Sequence, residues 1–439
     1  MAPVLVEDIL SKILCVCDIA TVLTVSLASR TLHALSMSKH VWLAQLLDLQ
    51  HRGFVDLLAG QRLDELSTAE LVDLAKRAVL GPETWSTSNP SPPVIARQIF
   101  VKPNIRHGPG ILEWENRPQL LPGGRFVLFL QSGDIECRST FEDKLIWAYR
   151  PRSLSDYVLD YAADVVNGGQ TVMILLGIRT YERHKNSTNY LEVVHLNLNT
   201  GLSTSRVVTA APDSSHDRPF GRLCIQGDFA AASLIRDRVV VLQISTASST
   251  TFSLPSQFVD LALVPQHLIL LKADKLSYLK VWRMRDLLER GSECAPIDSV
   301  EPIVTTALPD HGDPHASAHL ASNLSPLRED TSTIWAFIST AAPVDGVTVH
   351  KYRVSHPHSK PLSITPMSSP VRRGQPQISH EVHDVSFPGF MNVRTHVMSP
   401  ELGFKPVELP DSGDHVHMSA YSGALTYATW QKVVINYYK

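Results

Sequence analysis

PGGRFVLFLQSGDIECRSTFEDKLIWAYR, residues 122–150, sets apolar runs between turn residues at intervals too short for a helix. Pro122-Gly123-Gly124 precedes a run from Arg125 to Gln131. Ser132-Gly133-Asp134 precedes a second from Ile135 to Arg138, and after another turn a third runs from Lys144 to Arg150. Glycine and aspartate supply the backbone angles of tight turns, so three antiparallel strands are expected within this stretch.

The same pattern continues along the chain. Thr171 to Gly177 pairs with Tyr190 to Leu198, Leu223 to Ile235 with Arg238 to Ile244, and Phe258 to Lys272 with Leu276 to Met284. These units start roughly fifty residues apart, the spacing of a four-stranded propeller blade. Further strands are expected at Thr333 to Thr340, Val347 to Val354 and Leu425 to Tyr438, for about six blades. Ser292 to Ser325 and His356 to His380, rich in Pro, Ser and His, interrupt the repeat and read as long loops on the faces of the ring, with Ser292 to Ser325 a candidate for target choice.

Upstream the period changes from two to that of a helix. Ile9, Leu10, Ile13 and Leu14 form one stripe, and Asp18 can cap a second helix carrying Ile19, Val22, Leu23 and Leu27. Ser26, Ser29 and Arg30 mark a turn, Leu32 and Leu35 a third short helix. Ser38 can cap a fourth with Val41, Trp42, Gln45, Leu46 and Leu49. Ser67-Thr68-Ala69-Glu70 has the capping-box spacing and predicts a helix from Thr68 to Leu80 that stops at Gly81. Pro82 to Pro93 reads as a linker. The fold class is therefore multidomain, α then all-β: a small helical domain over residues 1–50, a helical extension and linker over 51–93, and a β-propeller-like recognition domain over 94–439.

With 44% apolar and 19% charged residues, the 439-residue chain has enough to bury to offset its ordering entropy. A balance of 40 basic against 43 acidic residues, net -3, gives no electrostatic footprint for nucleic acid or an anionic membrane, and neither is expected as a partner. Five scattered cysteines (Cys15, Cys17, Cys137, Cys224, Cys294) read as free thiols in a reducing compartment. Acidic Glu7 and Asp8 stand where a secretory leader carries basic residues, so a cytoplasmic or nuclear location is expected, and the Asn186-Ser187-Thr188 sequon is discounted.

Leu5 to Leu14, then Ser26 to Leu35, then Val41-Trp42 together resemble the F-box over about forty residues, with Val6 where that family carries proline. The resemblance implies docking on the Skp-type adaptor of a cullin-RING ubiquitin ligase through apolar side chains. By position these are Leu5, Val6, Ile9, Ile13, Leu14, Leu23, Leu27, Leu32 and Trp42. A helical unit this small carries more large apolar residues than it can bury alone, which independently calls for a second surface. Leu120 to Phe126, Trp147-Ala148-Tyr149 and Tyr421 to Ala428 further resemble fungal F-box proteins with a propeller-like C-terminal domain. The function implied is that of a substrate-recognition subunit binding adaptor, cullin and an unknown target protein. The alternatives are a non-catalytic interaction scaffold with no ubiquitin-ligase role, whose F-box-like helices bind the adaptor without delivering targets or pack only in cis, which would bury Ile9, Leu14 and Trp42 against the ring, and a propeller enzyme or metal protein.

No phosphate-cradling glycine loop, Gly-x-Ser-x-Gly elbow or Cys-x-x-Cys pair occurs, so no catalytic residue, cofactor or metal is predicted. Asp310-His311-Gly312-Asp313-Pro314-His315 with His319 offers five potential ligands, but Gly312 and Pro314 make it a loop. His380-Glu381-Val382-His383-Asp384 has its histidines three apart where a zinc helix needs four, and His415 and His417 alternate as strand residues do. Trp114, Trp147, Trp282, Trp335 and Trp430 are expected in the spaces between sheets.

Overall fold

The computed structural model describes residues 7–57, 61–85, 89, 91–104, 118–131, 133–149, 151–153, 155–181, 188–211, 219–234, 238–254, 258–272, 277–290, 294–308, 317–339, 347–357, 361–367, 371–373, 394–399, 403–408, 414–419, 422–429 and 432–439.

The N-terminal helices begin where short polar side chains can satisfy their first N–H groups. Helix α1 spans Glu7–Val16. Helix α2 spans Ile19–Ser26, and Asp18 accepts from the Thr21 N–H at 2.7 Å. Helix α3, Arg30–Ser36, is capped by Ser29, whose hydroxyl accepts from Leu32 N–H at 3.2 Å. Helix α4 spans Lys39–His51, and Ser38 at its start makes no side-chain cap bond. Helix α5, Thr68–Leu80, has the complete capping box between Ser67 and Glu70 and ends at Gly81 with φ +74°. The 82–93 stretch is pinned: Glu83–Trp85 forms a 3-10 turn, and Trp85 is fully buried against Leu425, Tyr427, Val434 and Tyr438.

Among the described residues seven sheets follow, antiparallel but for one edge strand. Sheet 1 holds Gln119–Leu120, Phe126–Gln131, Asp134–Ser139 and Leu145–Ala148. Sheet 2 holds Asp156–Val166, Thr171–Thr180, Thr188–Asn197 and Ser203–Ala211. Sheet 3 holds Phe220–Gln226, Phe229–Leu234, Arg238–Gln243 and Ser248–Ser253, edged by a parallel Ala295–Pro296. Sheet 4 holds Phe258–Val264, His267–Lys272, Tyr278–Arg283 and Val304–Ala307. Sheet 5 runs Ser317–Leu324, Thr331–Ser339, Val347–Ser355 and Ser363–Pro366, with Val371–Arg373 also on its third strand. Sheet 6 is the pair Arg394–Ser399 and Gly403–Glu408. Sheet 7 holds Asp414–Ser419, Ala424–Ala428 and Val433–Tyr438, completed by Ile95–Val101.

The sheets pack as blades of a ring. First strands touch from sheet 2 to 3, 3 to 4 and 4 to 5, and the first strand of sheet 7 touches that of sheet 1. Separate apolar clusters fill the spaces between sheets 1 and 2, 2 and 3, 3 and 4, 4 and 5, and 7 and 1. Each fully buried Leu, Ile or Val in them contributes roughly 1.5–3 kcal/mol. The strand before the first blade, Ile95–Val101, pairs with the last strand of the chain, and this closes the ring. Six sheets have four or more strands, in line with the expected count of about six, and the sixth-sheet hairpin adds a seventh unit.

Several sequence expectations are corrected. Leu223 to Ile235, Phe258 to Lys272 and Leu425 to Tyr438, read as single strands, each hold two over their described residues, divided at Gly227-Asp228, at Pro265-Gln266 and between Ala428 and Val433. Ser292 to Ser325 is no face loop over its described residues. It supplies the outer strand of sheet 4 and the inner strand of sheet 5, because Val304, Leu308 and Leu320 join the apolar cluster between those sheets. His356 to His380 likewise includes strands 363–366 and 371–373. Helix α6, Met284–Arg290, had no helical signal long enough to read.

Three successive inner strands shift register at the same place, before Asp160, Arg222 and Asp260. Buried Asp260 accepts from Leu320 N–H at 2.8 Å, with Arg222 Nη1 at 3.3 Å and His319 Nδ1 at 3.8 Å, so one carboxylate ties sheets 3, 4 and 5. Burial opposes its charge, but Arg222 and these donors outweigh burial and hold its pKa below the usual range.

Candidate functional site

The helical module has two sides. Its inner side is fastened across one mouth of the ring, on turns that join first to second strands and therefore share one face. The His51 ring packs on Gly168 of blade 2, where φ is +65° and any Cβ would strike the imidazole. Gly53, φ +80°, lies against Pro122 of blade 1. Arg52 donates to Ser325 O of blade 5 at 2.7 Å, and Ala20 N–H to Leu327 O at 3.5 Å. Arg77 donates to Tyr438 O at 2.6 Å and Thr84 to Lys439 O at 2.6 Å, both on blade 7. Leu324 and Leu327 pack against the core of the module itself.

The outer side is apolar and uncovered. Ile9 (47% exposed), Ile13 (43%) and Val16 (85%) recur at i, i+4 and i+7 on α1, and Leu23 (40%) and Leu27 (86%) at i, i+4 on α2. Leu32 is half-buried, and Leu5 and Val6 lie outside the described residues. Two positions are corrected: Leu14 and Trp42, each 3% exposed, are not surface residues. Leu14 packs with Val22 and Val41, and Trp42 with Ile19, Leu46, Leu71 and Ala75, so both are spent on holding α1, α2, α4 and α5 together. Leu14 is buried by the module alone, and Trp42 in a module core that Leu324 and Leu327 of blade 5 join, so the test for packing in cis divides: Ile9 is exposed, and Leu14 and Trp42 are buried. Buried Gln45 secures the α1–α2 turn by donating to Leu14 O and Cys17 O, both at 3.0 Å. Val16 was missed, although it extends the Ile9, Ile13 spacing by one turn.

The other candidates resolve as framework or lie elsewhere. Residues 309–316 and 374–393, with their histidine motifs, and Trp114 and Trp430 lie outside the described residues. His319 belongs to the Asp260 tie. Trp147, Trp282 and Trp335 are buried, with Trp147 donating to Ser203 Oγ and Trp282 to Val300 O. All five cysteines are free thiols; burial pushes Cys137 well up and Cys224 up to about 11. Among the described residues, no three His, Cys, Asp or Glu side chains are placed to share a metal, and no helix is long and apolar enough to cross a membrane.

No family model matches the sequence, and no curated protein matches it. Among solved structures, the WD40 domain of SCAP from fission yeast aligns over 75% of this chain and 85% of its own, at 10% identity and a TM-score of 0.39. The N-terminal domain of Nup159 aligns over 77% and 98%, at 11% identity and 0.37. A chain of a mitotic checkpoint complex aligns over 79% and 94%, at 11% identity and 0.36. The assignment of a ring rests on the strand pairing and inter-sheet cores above.

Proposed function

We propose that this chain is the substrate-recognition subunit of a Skp-cullin-F-box ubiquitin ligase, with Ile9, Ile13, Val16, Leu23 and Leu27 docking on the adaptor and the ring holding a target protein. The observation that carries the reading is the set of five exposed apolar side chains on α1 and at the end of α2, since exposed apolar surface needs a partner to leave water. The chain breaks no bond in this role. It raises the local concentration of a target's lysines near the ubiquitin-charged enzyme.

The contacts of α2, α4 and α5 with blades 1, 2, 5 and 7 favour a second reading, a protein-binding scaffold in which the helices serve only as a cap. The two separate in one experiment on the full chain: pull-down with purified Skp-type adaptor, comparing the unmodified chain with Ile13→Asp plus Leu27→Asp. Ligase membership predicts adaptor bound by the first and lost from the second at unchanged melting temperature, because both side chains are solvent-facing. No adaptor bound by the unmodified chain leaves the cap as the function of the helices.

A further inference from the structure

The outermost strand of a blade has one edge with no strand beside it, and such an edge is a template for an added strand unless it is short, covered or polar. In blades 1, 4 and 5 that strand has four residues, Leu145–Ala148, Val304–Ala307 and Ser363–Pro366. In blade 3 it is partly covered by Ala295–Pro296, and in blade 2 it opens with Ser203-Thr204-Ser205-Arg206. Blade 7 is open by comparison. Its outermost strand, Ile95–Val101, has seven residues and, among the described residues, pairs on one side only, with Val433–Tyr438. Its register shifts once, between Ile95 and Arg97, and is regular from there to Val101. One-sided pairing leaves alternate N–H and C=O groups pointing outward. Ile99 and Val101 are buried toward blade 1, so Gln98 and Phe100 lie on the opposite face. Phe100 is 45% exposed and Ile95 38%. Lys432 Nζ stands 3.8 Å from the centre of the Phe100 ring, and Lys102 is exposed just past the strand. Val94 to Lys102 holds Arg97 and Lys102 and no acid. Glu136 and Asp143, which accept the N–H groups of Asn104 and Lys102, are both paired with Arg138.

We propose that the outer edge of blade 7 receives an extended acidic segment of a target protein as a fifth strand, with an apolar side chain on Phe100 and carboxylates at Lys432 and Lys102. Main-chain hydrogen bonds to Ile95–Val101 supply the affinity, and the side chains that alternate along the added strand supply the selectivity. The charge decides between occupants. A second copy of this chain would set Arg97, Lys102 and Lys432 against the same cations, and like charges across a strand pair oppose it. An acidic strand meets them with complementary charge, and its apolar residues take Phe100 out of water. The inference rests on the ring being the part that holds a target and is independent of the adaptor.

The test uses the full chain and three dye-labelled peptides about as long as the strand: valine alternating with glutamate, valine with lysine, and proline with glutamate. The third keeps the charge of the first but loses every second N–H donor and the strand conformation. Fluorescence anisotropy should show the valine–glutamate peptide bound and the other two not. Phe100→Glu plus Lys432→Glu should weaken that binding about tenfold or more. Lys102→Glu, at an exposed side chain, should weaken it in the same direction at unchanged melting temperature. No binding of the valine–glutamate peptide, equal binding of either control peptide, or equal binding by the variants overturns the proposal. So does a dimer in sedimentation that Phe100→Glu dissolves, because the occupant of the edge is then a second copy. Adaptor capture by the double variant should equal that of the unmodified chain, so failure here and failure of the ligase reading are distinguishable.

Discussion

Asp56 sits where a carboxylate is costly. It follows α4 in the seam between helices and ring, beside Gly124, with Oδ2 buried and without a hydrogen-bond partner. Burial raises its pKa from 3.8 to about 7, against the opposing pull of Ser422, Arg77 and the Gly123 N–H. The folded pKa lies above the unfolded one, so this group's stabilising contribution is complete below the unfolded value and is lost as pH rises through about 7. Asp56→Asn does not titrate. Melting curves should therefore show the variant gaining on the unmodified protein as pH rises from 4, with the gain levelling off above about pH 7. A gain independent of pH would place the proton elsewhere.

At the scale of the element, the step from α4 to the ring depends on a backbone conformation that side chains oppose. Gly53 has φ +80°, and a Cβ there would collide with Pro122. Phe54, next in the chain, is 2% exposed and lies beneath the Arg52 guanidinium at 4.7 Å, so neither neighbour can swing away to relieve the collision. Gly53→Ala should cost roughly 1–3 kcal/mol, from left-handed strain together with the clash. Urea unfolding of the full chain measures it, and a loss under about 0.5 kcal/mol, the range of ordinary surface changes, would show that the seam yields easily. The outer face of α1 is governed differently: Ile13 can change freely in cis, and its neighbour Leu14 cannot.

For the whole molecule, stability depends on closure. Ile95–Val101 reaches the ring from the helical side and is held by Val433–Tyr438, the last strand of the chain. Trp85 and Arg77 attach the helices to that same strand. Removing residues 433–439 would strip the closing pair, expose the cluster of Val101, Leu120 and Phe129, and free Trp85 in one step. Calorimetry of that truncated chain should show the single cooperative transition replaced by a broad, low-temperature one, as expected when a closed ring becomes an open stack with unprotected edges. A sharp transition within a few degrees of the full chain would mean that the blades stabilise themselves without closure.

Local chemistry was legible in the sequence. The Ser67–Glu70 capping box, the Asp18 cap, the stop at Gly81 and the strands flanking Gly133 depend on residues within a few positions of one another, and each formed as read. Hairpins hidden within long apolar runs were not, because a strand buried on both faces has no alternation and Gly227-Asp228 is a weak turn signal in such a run. The candidate site divided in the same way. Its helical period was visible, but whether Ile13 or Leu14 met water depended on where α4 came to lie. The sequence by itself determined an α module followed by a ring of antiparallel blades, since period and turn chemistry act locally. Only the tertiary structure decided which apolar face stayed open, which mouth of the ring the helices covered, and that Phe100 met water at the outer edge of blade 7, because each depends on contacts between residues far apart in the chain.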